Sequence, residues 1–153
     1  MDLRDFETKE IINEGLLNIK NAFIQQMVQQ QEYSLKGNVT PFGVSFYIAP
    51  YVNAVIRMGT AAEKLLLFES MLDFKAYDML PSTKRGHKGE EETRVEQACR
   101  TASNIKNRQA KARDSSLNII KANIEENELN QYPILIIQLT EPIEDNLTGL
   151  IAN

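Results

Sequence analysis

From Glu90 to Asn127 the chain contains neither glycine nor proline, and Val95, Ala98, Ala102, Ile105, Ala112, Leu117, Ile120 and Ile124 recur mostly at three- and four-residue intervals. A single long helix over 90–128 is the structure that this pattern specifies. Its middle, Lys106 to Ser116, carries only small apolar residues, so the ends are expected to pack while the centre bridges across solvent. A connector between two lobes has that character. The loop that leads into it, residues 81–89 (PSTKRGHKG), combines proline, serine, two glycines and a run of cations that cannot be buried together.

Upstream, residues 1–80 read as a helical cluster. Thr8 is followed by Ile11, Ile12, Leu16, Leu17, Ile19, Phe23, Ile24, Met27 and Val28 in the rhythm of one amphipathic helix or two abutting ones, with Asn21 placed to cap the second. The glutamines at 25, 26, 29, 30 and 31 form its wet side. Lys36-Gly37 closes that unit, and Thr40-Pro41 supplies a cap and a first-turn proline for the next helix. That helix is read as buried through Phe42, Phe46, Ile48, Val52, Val55 and Ile56, with a kink or break at Pro50, which lacks an N–H and whose ring clashes with the preceding turn. Gly59-Thr60 then ends it and caps another, apolar from Ala61 through Leu65, Leu66, Leu67, Phe68 and Met71.

Downstream, Tyr132 to Leu139 (YPILIIQL) is the one good strand, short, β-branched and bounded by prolines. A lone strand cannot satisfy its own backbone groups, so its partners are expected to lie outside these residues, and self-association through 132–139 is the expected hazard. A helix starts near Asp145 or Asn146 and stops after barely two turns, so the chain is expected to be cut in mid-domain. The fold class is therefore mainly α: a helical cluster, a long connector helix, and the first strand and helix of a truncated α/β domain over 129–153.

The chemistry is sparse. At 153 residues and 42% hydrophobic content the chain can bury a core, and a net charge of -4 by itself points to neither nucleic acid nor membrane. No apolar run is long enough for a bilayer span, and one unpaired cysteine without a signal-peptide run points to a reducing cytoplasm. Hydrolytic or metal chemistry needs convergent groups, yet His87 lies in the cationic loop and Cys99 at an apolar helical position, a solvated histidine and a packing cysteine. No catalytic residue, metal ligand or cofactor is assigned to this chain. The local charge bias runs from Arg100 through Lys106, Arg108, Lys111 and Arg113 without an intervening acid, a face able to neutralise phosphates or simply the solvated side of a connector. Lys84, Arg85 and Lys88 add cations that Glu90, Glu91 and Glu92 offset.

Residues 46–58, FYIAPYVNAVIRM, resemble the signature of RecJ-type exonucleases of the DHH phosphoesterase superfamily, approximately F-x-I-x-P-R-I-N-A-A-G-R-M/L, with Phe46, Ile48, Pro50, Asn53, Ala54, Arg57 and Met58 matching. Gly59 and the apolar helix after it, TKEIINEGL at 8–16, Arg108-Gln109 in the long helix, and YPILIIQL followed by NLTGLIA are similar to further family segments in the same order. Tyr51 stands where the family has arginine, Val55 and Ile56 replace Ala-Gly, and the family's Trp-His dipeptide before the last segment is absent. Such departures suggest a divergent branch of phage origin.

The resemblance implies a parent that hydrolyses single-stranded DNA 5′ to 3′ with Mn or Mg. Its metal ligands would lie in an N-terminal DHH domain and a DHH-associated domain, both partners in cis outside these residues. This chain would be the inactive interdomain connector lining the DNA cleft, with Asn53 and Arg57 facing phosphate and Arg100, Lys106, Arg108, Lys111 and Arg113 as a secondary track, binding single-stranded DNA weakly and no membrane. The alternatives are a short-oligonucleotide or cyclic-dinucleotide phosphodiesterase within the same superfamily, and a non-catalytic helical adaptor.

Overall fold

The computed structural model describes residues 5–131, 134, 136–137 and 147–151. The chain divides into two compact units, residues 1–106 and 107–153, with the boundary inside the long helix.

The first unit is built from short, well-capped helices. In α1 (Phe6–Leu17) the Asp5 carboxylate accepts from the Thr8 amide and hydroxyl, which holds its pKa below the ordinary value. No residue of α1 is buried, and Ile11 and Leu17 are exposed, so its apolar stripe does not join the core that its pattern promised. In α2 (Ala22–Gln30) Asn21 is the expected cap. Its Oδ1 accepts from the Ile24 amide at 3.2 Å while its Nδ2 donates to the Met71 carbonyl at 2.9 Å, so one side chain starts a helix and ties it to a distant turn. A short α3 (Glu32–Leu35) ends at Lys36 and Gly37, both in the left-handed region with φ of 53° and 72°.

Thr40 caps α4 (Pro41–Gly43) through its Oγ1, 3.0 Å from the Gly43 amide. The helical run then widens into a π-turn, Val44–Ile48, before α5 (Ala49–Met58). Pro50 accounts for the widening: it cannot donate, and its ring excludes the carbonyl four residues back. The Ala49 amide accordingly reaches the Val44 carbonyl, five residues back. The break expected at Pro50 is thus a local widening just upstream of it.

The exposed side of this run differs from the sequence reading. Ile48 and Val55 are buried as expected, but Phe42, Phe46 and Ile56 are 64%, 62% and 57% exposed. The extra residue in the π-turn shifts the helical phase, so a periodicity counted through it at 3.6 residues per turn assigns the wrong side.

Gly59 ends α5, and a capping box between Thr60 and Glu63 opens α6 (Ala61–Ser70). A Cβ at Gly59 would lie 2.5 Å from the Val55 carbonyl oxygen. Gly59→Ala is therefore expected to lower stability by about 1–3 kcal/mol through forced displacement of the α5 C-terminus, measured as a lower urea midpoint with an unchanged slope. In α6 Leu67 is buried, whereas Leu65 and Phe68, read as part of an apolar side, are more than half exposed.

A β-hairpin, absent from the sequence reading, stands where the loop and the start of the long helix were expected. Met79–Pro81 (β1) pairs antiparallel with Glu91–Thr93 (β2) in the register Leu80 opposite Glu92. Residues 82–90 form its tip. The helix α7 (Arg94–Glu126) follows β2 directly, opened by a second capping box in which Thr93 Oγ1 accepts from the Glu96 amide and Glu96 Oε2 accepts from the Thr93 amide.

The core of this unit gathers Phe23 and Met27 of α2, Ile48, Ala54 and Val55, Leu67 of α6, and Val95, Ala98, Cys99, Ala102 and Ile105 of α7. Cys99 is a packing cysteine, as expected: its Sγ lies 3.9 Å from the Phe23 carbonyl, and burial pushes its thiol up to about 12.

In the second unit α7 continues to Glu126 and is followed by a 3₁₀ turn, Leu129–Gln131, and by α8 (Thr148–Ile151). Gln109 and Ser116 are buried in the stretch expected to be bare, so the middle of the long helix is not a solvent bridge throughout. The strand expected over 132–139 lies mostly outside the described residues; of those described there, Ile134 and Ile136 are exposed.

Candidate nucleic-acid interface

The signature segment divides its residues between two sides of one helical run. Ile48 and Ala54 enter the core, while Asn53 and Arg57 are exposed. These two are four residues apart on α5, hence neighbours on its surface, and Arg57 lies in the last turn, where the helix dipole also favours a cation. Tyr51, at the position of the family's arginine, is half-buried against the core, and its hydroxyl accepts from Gln31 Nε2 at 2.9 Å. That position holds α5 to the end of α2 and presents no cation.

Phe42 and Phe46 occupy the exposed side of the same run. Their ring centroids are 4.3 Å apart with an interplanar angle of 27°, a stacked pair open to solvent on its outer faces.

The basic stripe read along α7 does not form one face. In the first unit Arg100 and Lys106 are six residues apart, about one and two-thirds turns, and so project to different sides. Arg100 is also engaged: its guanidinium bonds the Glu92 carboxylate and, at 2.9 Å, Thr83 Oγ1. In the second unit Arg108 and Lys111 are exposed three residues apart on one face, while Arg113 bonds the adjacent Asp114 through Nε at 2.9 Å and Nη2 at 2.7 Å. The structure thus brings together Asn53 with Arg57, and Arg108 with Lys111; it withdraws Arg100 into the hairpin and gives Arg113 an acid.

Glu92 is what holds Arg100. It is 3% exposed, accepts from Gln97 Nε2 at 3.0 Å and the Thr83 amide at 3.1 Å, and pairs with Arg100 and, at 3.4 Å, with Lys84. Burial pushes its pKa up, but the bonds from Gln97, Thr83 and Arg100 outweigh burial and bring it down to about 2. The acid assumed to offset the loop cations at the surface is an internal anchor, and it takes Lys84 with it. At the tip the exposed His87 pairs through Nδ1 with Glu90 at 2.8 Å.

A second ion network, Glu69 with Lys75 and Arg94 and Arg94 with Asp78, joins α6 to the start of α7 beside an open groove of about 480 Å³ lined by Ala62, Leu65, Leu66, Gln97 and Thr101. The Lys75 hydrogen bond foremost, and then the Arg94 charge, hold the Glu69 carboxyl below its ordinary range. Among the described residues no group of three or more His, Cys, Asp or Glu side chains is placed to hold a metal ion, so no hydrolytic step is derived from these residues. Among them, too, no helix is long and apolar enough to cross a membrane.

No family model matches the chain, and no solved structure matches it significantly. Two curated proteins do. The chain is 34% identical, over 99% of its own length, to the SPbeta prophage-derived protein YorK of Bacillus subtilis (strain 168), named as a single-strand DNA-specific exonuclease. It is similar to the same extent to yorK of Bacillus phage SPbeta, which carries the same functional name. The chain spans 26% of the length of these relatives.

Proposed function

We propose that this chain is the interdomain part of a RecJ-like, metal-dependent exonuclease specific for single-stranded DNA, joining the two catalytic lobes and lining the cleft through which the strand passes. The observation that carries this reading is the similarity, over 99% of this chain, to proteins named as single-strand DNA-specific exonucleases; the resemblance of 46–58 to the RecJ-type signature supports it, because its polar residues Asn53 and Arg57 are exposed. In the parent, Mn or Mg supplied by the DHH and DHH-associated domains would activate water for 5′ to 3′ phosphodiester hydrolysis. This chain's part is to hold the strand: Arg57 neutralises a phosphate, Asn53 donates to a phosphate or sugar oxygen, and Arg108 with Lys111 form a second contact.

The test is binding of a fluorescent oligothymidylate to the chain across a salt series. Binding is expected to be weak, with log affinity falling against log salt by about 0.7 per phosphate contact. Arg57→Glu should weaken binding and flatten that slope by about 0.7, and Arg108→Glu with Lys111→Glu should flatten it further. An unchanged slope in both variants would make α5 and α7 mere spacers and would favour the adaptor reading.

A further inference from the structure

We infer that Phe42 and Phe46 form a base-stacking platform that continues the Asn53–Arg57 phosphate contact along the same helical run, so that this surface takes a single strand by its bases as well as by its backbone. The inference rests on the function proposed above and adds a subsite that the signature match does not supply, since Phe42 lies outside it.

Three observations converge. Two large aromatic rings, Phe42 in α4 and Phe46 in the π-turn that follows it, are each more than 60% exposed and stack on one another. An aromatic side chain gains by burial, so such a pair in water is poised for a flat apolar partner. Next, the same helical run that exposes the two rings also exposes Asn53 and Arg57, while Ile48, Ala54 and Val55 turn into the core. Finally, the π-turn Val44–Ile48, which includes Phe46, sets the rotation of the rings relative to α5.

A partner that offers a flat apolar face at Phe46 and an anion further along α5, about 10–16 Å on at 1.5 Å of rise per residue, is a single strand, whose bases and phosphates alternate along its length. Bases in a duplex are stacked on each other and cannot offer their faces to phenylalanine, whereas unpaired bases can, and stacking is tolerant of sequence because every base has a π-face. A second copy of the protein or an apolar peptide would satisfy the rings but would leave Arg57 without an anion. The geometry accordingly favours nucleic acid as the occupant, in the order bases at Phe42 and Phe46, then backbone at Asn53 and Arg57.

The test compares the chain with Phe42→Ala, Phe46→Ala and Phe46→Tyr, each checked for unchanged circular dichroism, in binding a short oligothymidylate, an abasic strand of equal length and a duplex. Each alanine variant should weaken oligothymidylate binding by about tenfold while leaving the salt slope and the weaker abasic-strand affinity unchanged; tyrosine, which keeps the ring, should restore binding. Ultraviolet crosslinking of a 5-iodouracil strand should attach to the peptide bearing Phe42 and Phe46. If the alanine variants bind oligothymidylate like the unmodified chain, or if the abasic strand binds equally well, the platform is overturned while the phosphate contacts stand. If the chain binds neither strand at any salt, the functional reading itself fails and takes the platform with it. Concentration-dependent self-association abolished by Phe42→Ala, with no effect on binding, would assign the surface to a second copy instead.

Discussion

Replacing Glu92 with glutamine is expected to lower stability at neutral pH by about 3 kcal/mol and to flatten the acid limb of the stability curve. Breaking a buried ion pair leaves Arg100 with an uncompensated charge in a site built for its partner, and such losses run to roughly 3–5 kcal/mol. Linkage gives the same direction. The carboxyl titrates from its ordinary 4.5 down to about 2 in the folded chain. A group whose pKa is depressed by folding stabilises the fold above the unfolded value and ceases to do so as pH falls through the folded one. The contribution of Glu92 is therefore complete above pH 4.5 and disappears between pH 4.5 and about 2. Asp5, Glu69 and Glu96 are shifted in the same direction, so all of them steepen acid unfolding. Urea titrations of both proteins at several pH values separate them: the difference between the curves should be largest at neutral pH and close below the ordinary pKa. A constant difference down to pH 2 would mean that Glu92 acts through shape alone.

Phe23→Ala should cost about 3–5 kcal/mol, the range for deleting a fully buried aromatic side chain. Phe23 is 0% exposed in a core whose other members come from α2, α3, the π-turn, α5, α6, the turn after α6 and α7. Against total stabilities of roughly 5–15 kcal/mol for a domain, such a loss leaves a partly unfolded population at room temperature. The internal control is Phe42→Ala: that ring is 64% exposed, so its truncation should change stability by less than about 0.5 kcal/mol. Thermal and urea unfolding of the two variants should separate widely. Comparable losses in both would mean that Phe42 is covered in solution.

The contrast between these two phenylalanines shows where the sequence is legible. Caps are local chemistry, a side-chain oxygen meeting an amide two or three residues on, and Asn21, Thr40 with Pro41, Gly59 with Thr60, and Lys36 with Gly37 could all be read without any tertiary contact. The long helix was legible for the same reason, although Glu91–Thr93 pairs with Met79–Pro81 before the helix starts. Strands of three residues have no measurable period. The sequence Thr93-Arg94-Val95-Glu96 does carry the capping-box signature, and it marks the true helix start.

Which side of 41–58 faces inward was not legible, because an apolar count runs straight through a π-turn. The charges in the candidate site were misjudged by a related route. Summing cations along the sequence from Arg100 to Arg113 ignores that a helix distributes them around its axis, and that the partner of Arg100 lies eight residues earlier on a strand. Asn53 and Arg57 were legible as a pair because their spacing lies wholly within α5.

The π-turn also makes this surface sensitive to insertion and deletion in a way that substitution cannot match. Removing any one residue from Val44–Ile48 would rotate everything before it by about 100° relative to α5. Phe42 would change its direction relative to Asn53 and Arg57 with its side chain unaltered. Homologous chains can thus gain or lose the alignment of ring and cation through a single-codon indel, and an alignment gap at this place would mark a change of surface rather than a neutral change of length.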